Sequence, residues 1–153
     1  PALVLDLPHL WTGWARRTLI AADEIVLTAE PDLASLRNAK NLMDLLRQQR
    51  RSDAPPRLVI NKQGMPKRPE IKVVDFAAAL GVEPVAVILF EPQLFGTAAN
   101  NGQMIAEVAP SHAVAATFDQ IAQIVTGRAE VKQKKASALA PLLAKLRGKK
   151  NGA

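Results

Sequence analysis

Few residues in this chain have both the type and the setting for chemistry. Asp6 closes the apolar run Leu3-Val4-Leu5 within VLDLP. A carboxylate at the carboxyl end of a strand can hold a metal-bound water near phosphates. The other reading is an aspartate that caps the following turn, helped by Pro8. Asn61 closes the run Leu58-Val59-Ile60 within LVINK. Its amide has the donor and acceptor that match an adenine edge, but from local sequence alone a turn asparagine is the default reading. Glu91-Pro92 opens the tract FEPQLFGTAANNGQMI, which also contains Asn100-Asn101-Gly102. Both dipeptides are turn signals, so a long polar connection suited to binding is expected there.

Other chemistries have little support. The two histidines, His9 and His112, stand far apart without metal-ligand spacing, and ordinary structural roles are expected for them. None of Ser35, Ser52, Ser111 and Ser137 sits in a GxSxG elbow. With no cysteine, disulfides, thiolate metal sites and cysteine nucleophiles are excluded. Neither GxxxxGK(S/T) nor GxGxxG occurs, so the sequence contains no phosphate-cradling loop.

The elements that must position these residues are short apolar runs alternating with helical patterns. Besides the runs before Asp6 and Asn61, Ile25-Val26-Leu27 and Val85–Leu89 read as strands buried on both faces. Helical patterns cover Trp14–Ala22, residues 32–50 with Asp32 as N-cap, and Val73–Leu80 closed by Gly81. Another runs through Phe118, Ile121 and Val125 to Gly127. Strand–helix alternation of this kind builds an α/β fold, three-layer α/β/α with a mostly parallel sheet. Trp11 and Trp14 share one helical face, as core or as a contact surface, with core the default.

Length and charge bound the partners. A chain of 153 residues makes one domain comfortably. Its apolar stretches are too short to span a membrane. The net charge of +6 is concentrated at one end: residues 1–127 carry 12 basic and 13 acidic side chains, residues 128–153 carry 8 and 1. A uniformly nucleic-acid-binding surface is therefore not expected. Arg47, Arg50 and Arg51 close a helix, and Lys62, Lys67, Arg68 and Lys72 surround the loop after Asn61, where they could touch a nucleotide, DNA or a partner, with a solvated face the default. In the tail, Leu139, Leu142, Leu143 and Leu146 fall on one side of a short basic amphipathic helix from about Ala136 to Lys150. That helix is suited to docking on the parent domain or to lying in an anionic membrane surface. The chain starts at Pro1 and enters an apolar run almost at once, which suggests a piece of a longer polypeptide.

Several phrases occurring in order carry a resemblance. VLDLP, AADEIVLTAEPDLASLRNAKNLMDLL, RLVINK and EPQLFGTAANNGQMI resemble the C-terminal part of the ParA/MinD superfamily of deviant Walker ATPases. DLPHLW, LTAEPDLASLRNAKNL and GMPKRPEIK look especially like the CpaE (TadZ-like) family of Flp, or tight-adherence, pilus assembly proteins. The likeness runs from Leu3 to about Gly127 and implies the C-terminal portion of a P-loop NTPase-like (MinD-like) domain, followed over residues 128–153 by a basic linker and tail helix. A receiver-like domain and the P-loop half would then precede Pro1.

The resemblance also implies roles. Asp6 matches the Walker B aspartate, catalytic and near magnesium. Leu7 and Pro8 fall in switch II, but Leu10 stands where the usual Asp-x-Pro-x-Gly has glycine, with His9 between. Asn61 matches the asparagine that reads adenine, and Glu91 and Pro92 match the loop bordering the base. The intact protein would bind ATP and Mg2+, form a homodimer and work with pilus or secretion assembly proteins. It would do so in the cytoplasm, near the inner face of the membrane at a cell pole. The tail is similar in kind to the membrane-targeting helix of MinD proteins. Three functions are compatible: a localisation ATPase of the pilus machinery, a non-catalytic scaffold of the same apparatus and, more weakly, a ParA-like DNA-partitioning ATPase, with DNA the least expected partner. Without its P-loop this chain is expected to be inactive alone and to hold no nucleotide tightly.

Overall fold

The computed structural model describes residues 2–8 and 12–128. The elements follow in the order α1 (Gly13–Ala21), β1 (Val26–Ala29), α2 (Leu33–Gln49), β2 (Arg57–Gln63), α3 (Val73–Leu80) and β3 (Pro84–Leu89), then α4 (Pro92–Asn101), α5 (Ile105–Val108) and α6 (Ala113–Val125). The strands form one parallel sheet in the order β1-β2-β3.

Alternation along β2 builds the layers. Leu58 and Ile60 point to one face, where they meet Met43 and Ala39 of α2 and Phe76 and Leu80 of α3. Val59 points to the other face and joins Ala86 and Ile88 of β3 and Val114 of α6. Both faces of the central strand are covered, as a parallel sheet requires, and the result is a three-layer α/β/α sandwich. On the second face Phe95 and Phe118 meet edge-to-face, with ring centroids 6.4 Å apart.

Local chemistry sets the helix ends. Asp32 accepts the backbone N–H of Ser35 at 2.7 Å and caps α2 as the sequence predicts. Gly81 closes α3 at φ 71°, in the left-handed region where a Cβ would be strained. His112 caps α6, its Nδ1 accepting the N–H of Val114 at 3.2 Å, which is a structural role.

Four expectations change. Leu3-Val4-Leu5 is not a strand: residues 2–8 are irregular, and Leu3 and Val4 are 84% and 87% exposed. A strand needs a neighbour for its backbone N–H and C=O groups, and the described sheet offers this run none. The tract after β3 is not an open loop but helix α4. Pro92 opens it at a position where the missing N–H costs nothing, and Gly102 closes it at φ 63°. The signals read as turns are therefore the two ends of a helix. Trp14 is 52% exposed, so it is a surface residue and not core; Trp11 lies outside the described residues. The basic face is also less free than expected. Arg47 donates to the Leu80 carbonyl at 2.7 Å and joins α2 to α3, while Arg50 donates to the Leu19 carbonyl at 2.9 Å and joins α2 to α1.

Candidate functional site

Because the strands are parallel, their carboxyl ends lie together, and ligands of open α/β sheets bind in the crevice outside those ends. Here that edge carries Glu30 just after β1, Asn61 near the end of β2 and Glu91 just after β3. The tertiary structure thus places Asn61 and Glu91 on the same rim. Glu91 is the N-cap residue of α4, its side chain makes no capping hydrogen bond, and Pro92 follows as the first helical residue. A groove of about 570 Å³ lies between β1 and α2 and is lined by Leu27, Glu30, Asn38, Leu42, Leu45 and Asn61. β1 has no second partner strand among the described residues. The larger hollow, about 700 Å³, adjoins Asp23, Glu24 and Ile25 at the opposite, amino end of β1. We assign the site to the rim and not to that hollow, because only the rim gathers polar groups of several strands.

Asn61 lies at an irregularity in β2. Ile60 pairs with Val87 and Gln63 with Leu89, so three residue steps of β2 match two of β3. The extra residue is a bulge, a device that turns a side chain out of the regular alternation. Lys62 within it has φ 55°, an uncommon conformation for a residue with a Cβ. The N–H of Lys62 donates to Asn61 Oδ1 at 2.9 Å. No partner of Asn61 Nδ2 is found among the described residues, so the amide keeps a donor for an incoming group.

An ion cluster surrounds this bulge. Lys62 Nζ donates to Glu30 Oε1 at 2.7 Å. Arg68 is in direct contact with the other Glu30 oxygen through Nη1 and donates through Nη2 to the Lys62 carbonyl at 3.2 Å. Asp32 and Glu70 flank the same guanidinium at 3.9 and 3.6 Å. The Glu70 carboxylate accepts the N–H groups of Gly64 and Met65 at 3.0 and 3.1 Å, closing the loop after β2. Hydrogen bonds from Lys62 and then Arg68 hold the Glu30 carboxyl below its ordinary range. The N–H of Gly64, and then that of Met65, do the same for Glu70, and the N–H of Ser35 does so for Asp32. All three are ionised at neutral pH. Lys62 and Arg68 were legible as basic residues near the loop after Asn61, but their pairing with Glu30, 38 residues from Arg68, was not. The paired signals, an acidic stretch after one strand and a basic loop after the next, meet only when β1 and β2 pair.

Asp6 lies in the irregular segment before α1 and is exposed. Among the described residues no group of three or more His, Asp or Glu side chains is arranged to hold a metal ion. The described residues thus bring Asn61 and Glu91 to one rim and leave Asp6 in an irregular segment outside the sheet.

Solved structures share this fold. A ParA family ATPase from Chlorobium tepidum TLS matches with a TM-score of 0.59 and 20% identity over 74% of this chain and 46% of that one. The MinD cell division protein of Aquifex aeolicus matches at 0.61 and 20%, over 75% of this chain and 48% of that one. The MinC:MinD complex of Aquifex aeolicus matches at 0.62 and 22%, over 80% and 50%. No family model matches the chain, and no curated protein matches it. The fold is thus that of the ParA/MinD type of P-loop ATPases, α/β/α with a parallel sheet. The chain spans about half the length of these structures.

Proposed function

We propose that this chain is the base-binding, carboxyl-terminal portion of a ParA/MinD-type nucleotide-binding protein, and that by itself it is a non-catalytic interaction module. The observation that carries this reading is Asn61, set by a strand bulge at the carboxyl rim of a ParA/MinD-type sheet with its amide donor free. ATP and Mg2+ belong to the larger protein. This chain would meet the adenine, and the phosphates would be held by a P-loop that it does not contain.

The test is base preference. In the full nucleotide-binding protein, Asn61→Ala is expected to relax the preference for ATP over GTP by about 1–3 kcal/mol, the value of a matched pair of hydrogen bonds to a base. Nucleotide competition measures it, and an unchanged preference rejects the role. In the same assay Asp6→Ala is expected to disturb magnesium-dependent binding while leaving base preference alone.

The finer proposal is a localisation or scaffold role in Flp-type pilus assembly, supported by the phrases DLPHLW, LTAEPDLASLRNAKNL and GMPKRPEIK. The partners would be a second copy of the protein and pilus or secretion assembly proteins, in the cytoplasm near the membrane. DNA is not proposed as a partner. In residues 1–127 acidic groups slightly outnumber basic ones, and Arg50, Arg57, Lys62 and Arg68 are engaged in ion pairs.

Membrane contact would come from the tail. The amphipathic helix expected from about Ala136 to Lys150 lies outside the described residues. Its leucines would remove apolar area from water, and each basic residue near an anionic leaflet would add about 1 kcal/mol. Co-sedimentation with liposomes is expected to rise with anionic lipid, fall with salt and drop after Leu143→Glu. Binding left intact by Leu143→Glu would refute it.

A further inference from the structure

We propose that Arg68 and Glu30 are positioning residues for Asn61: together they lock the Lys62 bulge, and the locked bulge aims the asparagine amide out of the rim. The proposal rests on the reading of Asn61 as a base-binding residue and adds the device that sets its direction.

The left-handed backbone at Lys62 is one that a side-chain-bearing residue leaves unless its surroundings fix it. Here three contacts fix it. The side-chain ammonium is tied to Glu30 just after β1, the carbonyl is tied to Arg68 across the loop, and the N–H is tied to Asn61 Oδ1. The first two converge on one ion pair, because Arg68 grips Glu30 directly. Glu30 thus anchors both the side chain of Lys62 and the cation that holds its carbonyl. The third contact passes the constraint to Asn61. With Oδ1 turned toward the Lys62 N–H, Nδ2 must point the other way.

Arg68 suits this task in a way lysine does not. Its planar fork places Nη1 on Glu30 while Nη2 reaches the Lys62 carbonyl, and a single ammonium has no such span. Its Nε is buried with no partner among the described residues, so the guanidinium is oriented by its two ends alone. The loop is also closed by hydrogen bonds that do not use Arg68, those of the Gly64 and Met65 N–H groups to Glu70. Removal of Arg68 should therefore free the bulge without unravelling β2.

The experiment compares wild type, Arg68→Met, Arg68→Lys and Glu30→Gln in the 153-residue chain by 1H–15N NMR. The expected result in Arg68→Met is a shift of the Asn61 side-chain amide pair and at least a tenfold faster hydrogen exchange at the Lys62 N–H. Exchange at Leu58 and Val59, in the buried part of β2, should stay within twofold. Arg68→Lys should fail to restore either signal, and Glu30→Gln should reproduce both in weaker form. Unchanged Asn61 and Lys62 signals in a folded Arg68→Met variant overturn the proposal, as does full recovery in Arg68→Lys. If Arg68→Met does not fold, Glu30→Gln decides, because it keeps size and one acceptor; unchanged signals there overturn the proposal as well. Titration of the wild-type chain with adenosine tests the underlying reading separately. A missing response at Asn61 rejects base binding there, while the exchange comparison still judges the clamp.

Discussion

Phe76→Ala is expected to destabilise the chain by about 3–5 kcal/mol, the usual cost of emptying a fully buried aromatic site. Phe76 is completely excluded from solvent and fills the centre of the core formed by Met43, Leu58, Ile60 and Leu80. It links α3 to both β2 and α2, so its loss opens a cavity under the strand that carries Asn61. Domains of this size are stable by only about 5–15 kcal/mol, so one substitution would remove a large share. Urea denaturation measures the effect. At a slope of about 1–3 kcal/mol per molar, the midpoint should fall by 1 M or more. Val74→Ala on the same helix is the control: Val74 is 68% exposed, and its replacement should change stability by no more than about 0.5 kcal/mol. A Phe76→Ala loss below about 1 kcal/mol would contradict the core described above.

The second large effect is in nucleotide affinity. Isothermal titration of this chain with Mg-ATP is expected to give no low-micromolar binding. A micromolar dissociation constant requires about 8 kcal/mol and a millimolar one about 4. Base contacts at Asn61 supply about 1–3 kcal/mol of discrimination. Most of the affinity for a triphosphate comes from backbone donors and a lysine in a phosphate loop, and the sequence contains no such loop. Asp6 does not make up the difference, because it is exposed and belongs to no cluster of metal-binding side chains among the described residues. Saturation in the low-micromolar range would show that the chain holds phosphates by a route other than a P-loop, and would overturn the division between base and phosphate ends.

The same residues show how far local sequence reaches. Asp32, Gly81 and Gly127 were legible as helix signals because caps and left-handed turns depend on the residue itself and its nearest neighbours. The runs at β2 and β3 were legible because strands covered on both faces are largely apolar, whereas β1, at the edge of the described sheet, leaves Val26 and Thr28 exposed and is not buried on both faces as expected. Asn61 stood out because it follows such a run. Which residues of α2 enter the core was not legible: Leu33 is exposed and Leu42 and Leu45 half-buried, while Ala39, Met43 and Leu46 are buried, because the packing partners of the helix are chosen by α3 and the sheet. Glu91-Pro92 and Asn101-Gly102 were visible, but their meaning as the two ends of one helix depended on Leu94 and Phe95 finding Val59, Ala86 and Val114 to pack against.

The alternation of elements, the lack of a phosphate loop and of thiol chemistry, and the concentration of positive charge after residue 127 can all be read from the residues in order. Each is a property of residue type and near-neighbour order. That Leu3-Val4-Leu5 is not a strand emerged from the folded arrangement, since strand formation depends on a neighbour for its hydrogen bonds. The same arrangement decided that Glu30 and Arg68 meet, since charges 38 residues apart attract only after the pairing of β1 and β2 has brought them together. The direction of the Asn61 amide was likewise beyond the sequence. It is set by one extra residue in the register between two strands, and register exists only between strands that have already found each other.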